Sequence, residues 1–374
     1  MQTESSLVGE LAWEANTKYI NEAYRSSVVV SLLTLARIWA KSRSNPGAPA
    51  QDARLSAPGA TLAFSTFKNE RTTIEEHVRL SGAACTHIQF DLKNAAGINF
   101  AAVLGAGIIR APRFLYYLVS ERGLRAVRRM AYPFLGYCLY RYLLIKFASV
   151  EPRGTVVTTN TVHPLSLAAH YAAKAAGWQT VLIEHAMTPR YIAKDRGYSK
   201  IFVRSLHTKR MFEDKGVDPA SIEVLSYWGE YRSPAPIDPS TLERVGFAVN
   251  SLDPLKDVEY VAQKLRHRGL RCEMRVHDAD KRLPAFRRFG AQFDIEISSA
   301  AGSDIADFVR RQQVVVVGNS SVLLDCLRAN VSCIYFWPGP ADMYDYYGLV
   351  QYARMPSARD RDELLGLLTG RAPH

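Results

Sequence analysis

The sequence is poor in cysteine, and its few cysteines follow no ligand spacing. Its five cysteines are Cys85, Cys138, Cys272, Cys326 and Cys333. None begins a CxxC or CxxH pair, the spacing typical of zinc sites, which argues against a structural zinc. The scattered positions also argue against a disulfide framework. Such cysteine usage indicates a protein of the reducing cytoplasm.

Long apolar runs and leader-like segments are also missing. The longest apolar stretches, such as residues 28–36, are far shorter than the roughly 20 residues needed to cross a bilayer. The sequence does not open on a basic stretch followed by an apolar core and a small-residue cleavage site, so no signal peptide is expected. We therefore expect a protein that is soluble or attached to a membrane at its surface.

Signatures of nucleic-acid binding are absent as well, although the chain is basic. It has 47 Lys and Arg against 36 Asp and Glu, a formal net charge of +11. Such a charge suits nucleic acid, an anionic membrane surface or a phosphorylated substrate. Because no RNP motif, helix-turn-helix pattern or zinc finger is found, nucleic acid is not expected as a partner.

The positive charge is concentrated in residues 110–147. This segment holds eight Lys or Arg against the single acid Glu121. Its helical pattern predicts an amphipathic basic hairpin. One interpretation is that these helices pack on a sheet and keep a solvated basic face. The other is attachment to an anionic leaflet, where each basic residue contributes about 1 kcal/mol. The residues expected to form that surface are Arg110, Arg113, Arg125, Arg128 and Arg129.

Strands and helices are predicted to alternate along most of the chain. Apolar β-branched runs predict buried strands, and amphipathic stretches between them predict helices. This alternation favours parallel, doubly wound sheets. The predicted fold is α/β, with two tandem Rossmann-like domains that face a central cleft. The predicted strands are 60–67, 86–92, 154–160, 179–186, 199–205 and 221–226 in the first half and 244–250, 271–278, 293–299, 314–317 and 332–338 in the second.

The predicted domain organisation has three parts. Residues 1–57 are expected to form N-terminal helices and a linker. Residues 58–230 form a first Rossmann-like domain, interrupted by the helical basic insertion at 108–148, and residues 231–374 form a second one. The Pro-rich segment 227–243 is interpreted as the interdomain linker.

The stretch QQVVVVGNSSVLLDCLRANV, residues 312–331, joins a predicted buried strand directly to a helix. One explanation is local, since glycine allows a tight turn and Asn or Ser caps a helix. The other is an anion site, because the free N–H groups and dipole of a helix start attract phosphate. The candidate phosphate-binding residues here are Gly318, Asn319, Ser320 and Ser321, and Asp325, one turn further on, is either a contact for the sugar of a bound nucleotide or simply exposed.

Candidate acids and bases follow the predicted strands of the first half. Glu184 and His185 end one strand, His163 follows another, and Asp91 lies near the end of a third. A carboxylate or imidazole there suits a general base that takes a proton from a hydroxyl. The alternatives are a bond to a neighbouring loop for Glu184 or His185 and a helix-capping role for His163.

Two basic candidates follow a strand of the second half. His277 lies near the end of the predicted strand 271–278, after the residues EMRV, and Lys281 lies shortly behind it. Both side chains suit contact with a phosphate. The alternative for Lys281 is a solvated loop.

The motifs of residues 150–340 resemble a known enzyme group. The elements TVVTTN…AAHYAAKAAGWQTVLIEHA, YSKIFVRSLHTKRMFEDKGVDPASIEVLSYWG and VVVVGNSSVLLDCLRANVSCIYFWP are similar to those of GT-B glycosyltransferases. They resemble the bacterial branch that makes capsules, lipooligosaccharide and teichoic-type polymers, with sialyl-, Kdo- and glycerophosphate-transferring members. UDP-sugar 2-epimerases share that architecture. The chain departs from the branch where relatives carry Gln-His-Gly, here Glu184-His185-Ala186, and where they carry His-Pro, here His277-Asp278.

The resemblance implies a function and its partners. It implies transfer of a sugar from a CMP- or UDP-linked donor to a growing or lipid-linked bacterial surface glycan, with inversion. No cofactor and no metal ion are expected, since the similar enzymes need no metal for transfer. The expected location is cytoplasmic, at the inner face of the cell membrane. The alternatives are a nucleotide-sugar epimerase or hydrolase, or a catalytically degenerate glycan- or membrane-binding module.

Overall fold

The structure is a computed structural model, and its residues form two compact units. The first unit comprises Met1–His185, Arg196–Phe202 and Ala220–Glu223, and the second Ala186–Asp195, Val203–Pro219 and Val224–His374. The three-part division predicted from the sequence stays a prediction. The structure describes residues 4–12, 28–42, 54–82, 84–90, 99–185, 188–190, 193–225, 236–249, 253–277, 280–299, 301–302 and 304–370.

The first sheet has six strands. They are β1 (Thr61–Ser65), β2 (Thr86–Gln89), β3 (Thr155–Thr158), β4 (Gln179–Ile183), β5 (Lys200–Val203) and β6 (Ile222–Val224). Their order in the sheet is β2-β1-β3-β4-β5-β6. β1 pairs in parallel with β2 and β3, and β4 pairs in parallel with β3 and β5. The loops that follow β1, β3 and β4 therefore leave the same edge of the sheet.

A helical layer precedes and interrupts this sheet. Its helices are α1 (Glu4–Leu11), α2 (Val28–Ser42), α3 (Lys68–Ser81), α4 (Phe100–Ile108), α5 (Ala111–Arg122), α6 (Ala131–Ala148) and α7 (Pro164–Ala175). A 3-10 turn, Leu124–Arg129, joins α5 to α6, and helix α8 (Leu206–Glu213) and the 3-10 turn Pro219–Ser221 lie between β5 and β6. Gly123, with φ of 75°, ends α5 in a conformation that favours glycine. The basic segment is thus two helices joined by a 3-10 turn.

The second sheet also has six strands. They are β7 (Arg244–Val249), β8 (Arg271–Val276), β9 (Glu296–Ser299), β10 (Val314–Val317), β11 (Ser332–Phe336) and β12 (Ser357–Ala358). The order is β12-β11-β10-β7-β8-β9, and every neighbouring pair is parallel. The helices are α9 (Leu255–His267), α10 (Leu283–Phe293), α11 (Ile305–Arg310), α12 (Val322–Ala329), α13 (Leu349–Ala353) and α14 (Arg361–Thr369), with a 3-10 turn at Ala341–Met343.

Strand β10 shows why the second sheet is doubly wound. Side chains of a strand point alternately to opposite faces. Val314 and Val316 belong to one apolar cluster of the second unit, and Val315 and Val317 belong to another. All four are at most 3% exposed. Both faces of the strand are therefore covered, as the continuous valine run predicts.

The predicted α/β class with two parallel sheets is confirmed. The sequence interpretation gave no helix at residues 283–293, where the structure has α10. Of the described helices, none is both long and apolar enough to cross a membrane alone. One bent pair, α4 with α5, meets that test of length and composition together.

Candidate functional site

A fully buried carboxylate organises the loops that leave the first sheet. Glu70, in the first turn of α3, accepts hydrogen bonds from the backbone N–H groups of Thr66 at 2.5 Å and Phe67 at 3.2 Å. Its other oxygen accepts from the Asn160 side chain at 2.8 Å. Since Thr66 follows β1 and Asn160 follows β3, one side chain ties two neighbouring strand ends together.

His163 is fixed by the same loop and caps a helix. The side-chain oxygen Oδ1 of Asn160 accepts from the backbone N–H groups of Val162 and His163, each at 2.9 Å. The His163 Nδ1 atom accepts from the Leu165 N–H at 3.4 Å, at the start of α7. Nδ1 is therefore unprotonated, and Nε2 carries the proton of the neutral ring. Burial lowers the pKa of His163 to about 4, so the ring is neutral at pH 7.

His185 has the opposite tautomer. Its Nδ1 atom lies 2.5 Å from the main-chain oxygen of Thr159, directly after β3. A carbonyl oxygen accepts only, so Nδ1 donates and the lone pair of the neutral ring is on Nε2. His185 is half-buried, whereas neighbouring Glu184 is 3% exposed. Of the two histidines at this edge, His185 is the one whose geometry leaves a basic nitrogen for a ligand.

Two exposed aromatic rings flank His163. Phe67 is 49% exposed and meets the imidazole edge-on, with ring centres 5.4 Å apart. Tyr132, near the start of α6, is 40% exposed, and its ring centre lies 6.3 Å from that of His163. Amphipathic rings of this kind present an apolar face to a ligand. Together with Glu184, His185 and Thr159, these residues form what we term the histidine edge.

Asp91 is the remaining candidate base, and it lies outside the described residues. Nothing in the structure places it at the histidine edge. Thr159 is a residue that the sequence interpretation did not single out. It is 2% exposed, and its hydroxyl has no hydrogen-bond partner among the described residues.

In the second unit, Gly318 follows β10 and is closely approached by an acid. A side chain at Gly318 would collide with the Oδ1 atom of Asp253, in the loop after β7. The carboxylate of Asp253 therefore lies close against Gly318 and would have to move to accommodate a side chain there. This is a physical reason for the glycine other than the close approach of a phosphate.

Asn319 is held from both ends of its side chain. Its oxygen accepts from the Tyr335 hydroxyl at 2.8 Å, and its amide nitrogen donates to the Met343 carbonyl at 3.1 Å. The same tyrosine oxygen accepts from the Asp345 N–H at 2.9 Å. The side chain of Asn319 therefore fixes the turn after β10.

The start of helix α12 carries the two serines. Ser320 is half-buried, its N–H donates to the Gly318 carbonyl at 2.8 Å, and its hydroxyl accepts from the Val322 N–H at 3.4 Å. Ser321 is the N-cap, is exposed, and makes no side-chain cap bond. The positive end of the α12 dipole is thus open at Ser321.

Asp325 lies in the first turn of α12. Its carboxylate is 28% exposed and lies 3.7 Å from Arg328. Burial raises the pKa of Asp325, and Arg328 and Arg204 oppose that effect. Asp325 is therefore half-buried and paired within its own helix.

An arginine ties the loops after β7 and β8. Arg282 donates to both carboxylate oxygens of Asp280, at 2.8 and 3.0 Å, and to the main-chain oxygen of Asp253 at 2.7 Å. The two basic candidates beside it, His277 and Lys281, are exposed. The turn after β10 and these two loops together form what we term the serine edge.

Two Asp-x-Asp triplets occur in the chain, at residues 278–280 and 360–362. Asp280 is bound by Arg282, and Asp360 caps α14 by accepting from the N–H groups of Asp362 and Glu363. Among the described residues, no group of three His, Cys, Asp or Glu side chains is arranged to hold a metal ion.

The basic candidates of the first unit are not one helical face. Arg110 and Arg113 lie 3.8 and 3.3 Å from the carboxylate of Glu4, on α1. Arg128 is exposed, and its main-chain oxygen accepts from the Ser31 hydroxyl of α2 at 3.0 Å. Arg125, Arg128 and Arg129 lie in the 3-10 turn, beyond the end of α5.

A pocket of about 430 Å³ lies elsewhere in the second unit. Its lining includes Arg244, Arg271 and Glu296, the first residues of β7, β8 and β9. It therefore opens at the amino ends of the strands, opposite to the serine edge. Ligands of open α/β sheets bind beyond the carboxyl ends, so we assign this pocket no ligand.

Several residues of both edges escaped the sequence interpretation. Glu70 carried one usable signal, an acid at the third position of a helix, which is typical of capping. The partnership of Glu70 with Asn160 carried none, because the two are 90 positions apart. Phe67 and Tyr132 read as ordinary apolar positions, and only the structure shows that they are exposed.

No protein-family model and no curated protein matches the sequence. Among solved structures, UGT89C1 of Arabidopsis thaliana complexed with UDP-L-rhamnose matches with a TM-score of 0.50 and 12% identity, over 85% of this chain and 90% of that one. The UDP-GlcNAc 2-epimerase of Neisseria meningitidis bound to UDP-GlcNAc matches with a TM-score of 0.48 and 7% identity, over 83% and 90%. MurG of Acinetobacter baumannii matches with a TM-score of 0.47 and 11% identity, over 84% and 95%. The two parallel sheets and the UGT89C1 match show that this chain has a GT-B type fold.

Proposed function

We propose that this protein is a glycosyltransferase. It moves a sugar from a nucleotide-sugar donor to a hydroxyl of a growing or lipid-linked bacterial surface glycan. The observation that carries the proposal is the His185 tautomer: Nδ1–H donates to the Thr159 carbonyl, so the basic Nε2 is available at the carboxyl edge of a parallel sheet. The GT-B fold supplies the second support, since UGT89C1 was solved with a UDP-sugar.

The proposed reaction is a single displacement. The His185 Nε2 atom takes the proton of the acceptor hydroxyl as that oxygen bonds to the anomeric carbon of the donor. The bond between the anomeric carbon and the phosphate oxygen breaks, and the electron pair leaves with the nucleotide. One displacement of this kind inverts the anomeric configuration. Proton transfer by a positioned base contributes about 10²–10⁴-fold in rate.

The first unit also supplies groups that orient the acceptor. His163 presents Nε2–H as a donor, since its Nδ1 atom caps α7. The exposed rings of Phe67 and Tyr132 give the apolar face of a sugar or lipid a surface to lie against. Glu184 is the second candidate base, and its burial beside His185 makes it the residue to test alongside it.

The second unit is assigned the donor nucleotide. The open N-terminus of α12 at Ser321 faces the developing negative charge of the leaving phosphate. A helix start stabilises such an anion by about 0.3–1 kcal/mol, and by up to about 2 kcal/mol when partly buried. Lys281 adds positive charge after β8, His277 is exposed beside it as a candidate hydrogen-bond donor to phosphate, and Asp325 is the candidate for a ribose hydroxyl.

Product analysis tests the proposal. The protein is incubated with UDP- and CMP-linked sugars, alone and with a glycan acceptor, and nucleotide release and sugar products are followed by chromatography. A transferase releases nucleotide only when the acceptor is present. Release or sugar conversion with donor alone would instead indicate a hydrolase or a nucleotide-sugar epimerase. Thermal shift against the same panel identifies the donor, because a bound ligand raises the melting temperature. No binding at millimolar nucleotide would indicate a non-catalytic module.

A further inference from the structure

Two isoleucines stand exposed at a sharp corner of the first unit. Helix α4 ends at Ile108, α5 begins at Ala111, and the two helix axes bend by 76°. Ile108 is 62% and Ile109 87% exposed. Isoleucine is among the most often buried residues, so two adjacent exposed isoleucines at a bend indicate a surface that is covered in use.

Neighbouring elements extend this apolar surface. Helix α2 packs against α4 and against the 3-10 turn Leu124–Arg129. It exposes Leu32 at 51% and Leu33 at 64%, and the turn exposes Leu124 at 77%. The Ser31 hydroxyl bonds the main chain of Arg128, which fixes α2 on that turn. We call these five exposed side chains, which lie on elements that pack together, the apolar corner: Leu32, Leu33, Ile108, Ile109 and Leu124.

Positive charge accompanies the apolar corner. Residues 99–132 contain six arginines against one acid, Glu121. Arg113 and Arg128 are exposed, and so is Arg37 on the outward side of α2. Apolar side chains beside arginines complement a bilayer whose headgroups are negatively charged.

Burial decides how deeply such a surface enters a bilayer. Phe100, Val103, Leu104 and Gly107 of α4 are buried in the first core. Helix α4 is therefore held by the protein along one side, and its outer end alone offers side chains to lipid. This favours shallow insertion of the corner over a re-entrant or spanning pair.

We propose that the apolar corner inserts into the interface of an anionic bilayer, with the nearby arginines at the level of the headgroups. Attachment by apolar insertion goes beyond the proposed transfer reaction. One consequence rests on that reaction: α6 begins directly after the 3-10 turn and carries Tyr132, which flanks His163. A lipid-linked acceptor held at the corner would then reach the histidine edge past Tyr132.

Co-sedimentation of the full chain with vesicles tests the insertion. Vesicles of phosphatidylcholine with phosphatidylglycerol are expected to bind the protein, and Ile109→Glu is expected to reduce the partition coefficient about tenfold or more, because burying one isoleucine stabilises by at least that factor. The matched control is Leu206→Glu, since Leu206 is 52% exposed in the second unit. It should bind like the wild type. Unchanged melting temperatures establish that both variants are folded.

Salt and lipid charge separate the two contributions. Replacing Arg125, Arg128 and Arg129 with Gln should weaken binding to anionic vesicles by about fivefold for each charge removed. In 1 M salt the electrostatic part is screened, to a Debye length of about 3 Å, while the apolar part persists. The wild type should then still bind more strongly than Ile109→Glu.

Two results would overturn the proposal. One is equal sedimentation of the wild type and Ile109→Glu. The other is that the wild type does not bind vesicles, forms a dimer in ultracentrifugation, and is made monomeric by Ile109→Glu. The apolar corner would then contact a second copy of the chain. Turnover measured on a soluble acceptor keeps the two proposals apart. If the protein turns over the soluble acceptor but does not bind vesicles, only the membrane proposal is contradicted. If it binds vesicles but shows no turnover, only the transferase proposal is contradicted.

Discussion

The two units use apolar and charged side chains differently. Ten of the twelve large apolar side chains that are exposed among the described residues lie in the first unit, and the other two are Leu206 and Leu367. Each unit also buries a carboxylate, but Glu70 of the first unit accepts from backbone N–H groups and an amide, whereas Glu273 of the second is bound by arginines. Glu273 is fully buried at the start of β8, where it accepts from Arg244, Arg311 and Ser298. Both units rest on the same kind of parallel sheet, so the sheet does not dictate what the surface around it carries.

This difference indicates a division of roles. The first unit adds a helical layer, the apolar corner and neutral buried histidines to its sheet. In the second unit, arginines bind the buried Glu273, and the ion pair of Arg282 with Asp280 ties two loops. The exposed apolar side chains of the first unit suit contact with lipid and sugar rings. The ordered polar loops of the second unit suit binding of a nucleotide. Each prediction below tests one side of this contrast.

The largest expected effect is the loss of the proposed base in the first unit. His185→Ala should lower kcat by about 10²–10⁴-fold, because a positioned general base contributes that much. Nucleotide affinity, measured by calorimetry, should remain as in the wild type, since the donor is assigned to the second unit. Glu184→Gln is made in parallel, and near-wild-type rates in both variants would contradict the assignment of a base to this strand end.

The second prediction concerns the buried charge of the second unit. Arg244 contacts the fully buried Glu273 at 2.9 Å and the 56% exposed Glu296 at 3.1 Å. Glu273→Ala should lower the free energy of unfolding by about 3–5 kcal/mol. The substitution leaves Arg244, Arg311 and the side-chain amide of Gln312 without their shared acceptor. Glu296→Ala removes a partner of Arg244 at the surface and should cost about 0–1 kcal/mol. Denaturant titration compares them, and equal losses would contradict the contrast.

The third prediction concerns acid stability and the first unit. Burial lowers the pKa of His163 to about 4 and of His170 to about 3, below the value of 6.5 expected for an unfolded chain. Between pH 6.5 and about 4 the unfolded state therefore binds protons that the folded state does not. As the pH is lowered through this range, the unfolding free energy decreases by about 1.4 kcal/mol per pH unit for each such histidine. The contribution of these neutral histidines to stability is fully present above pH 6.5.

A single substitution tests that linkage. His163→Asn keeps a side chain suited to capping α7 and removes the titrating group. The slope of the unfolding free energy against pH should decrease by about one proton between pH 6.5 and 4 and stay the same between pH 7 and 8. An unchanged slope in the acid range would show that His163 is protonated in the folded protein.

The smallest expected effect is on stability, and it is tested by comparing substitutions at two glycines of α4. An added Cβ at Gly107 would lie 2.9 Å from the Cα atom of Cys138 on α6, whereas nothing lies within 4 Å of one at Gly105. Gly107→Ala should destabilise by about 1–3 kcal/mol through overpacking. Gly105→Ala should stabilise by about 0.5–1 kcal/mol, since alanine favours the helix. Thermal unfolding measures both, and the same sign for the two would contradict close packing of α4 on α6.

The sheets were predictable because their strands carry strong local signals. The run Val314–Val317 alone indicates burial on both faces, and the strand predicted there has the bounds found in the structure. Helix α10 was missed although the sequence carries signals for it, since Pro284 stands in its first turn and the buried Phe286 and Gly290 are one turn apart. The bend between α4 and α5 depends on tertiary packing, which a helical periodicity does not encode.

The site was predictable only as a set of strand ends. Parallel strands place their carboxyl ends at one edge, so His163 and His185 were found from the pattern alone. Their tautomers were not, because each depends on a main-chain partner, Leu165 N–H or Thr159 oxygen, that only the folded loops provide. Asn319 likewise read as a ligand, whereas its partners Tyr335 and Met343 lie 16 and 24 positions away.

The clamp on Asn319 has a consequence for how a ligand meets the turn after β10. Tyr335 and the Met343 carbonyl hold this side chain before anything binds. Little conformational entropy is then lost when a ligand arrives. In the proposed transfer reaction, the turn should therefore keep one conformation from donor binding to the release of the nucleotide.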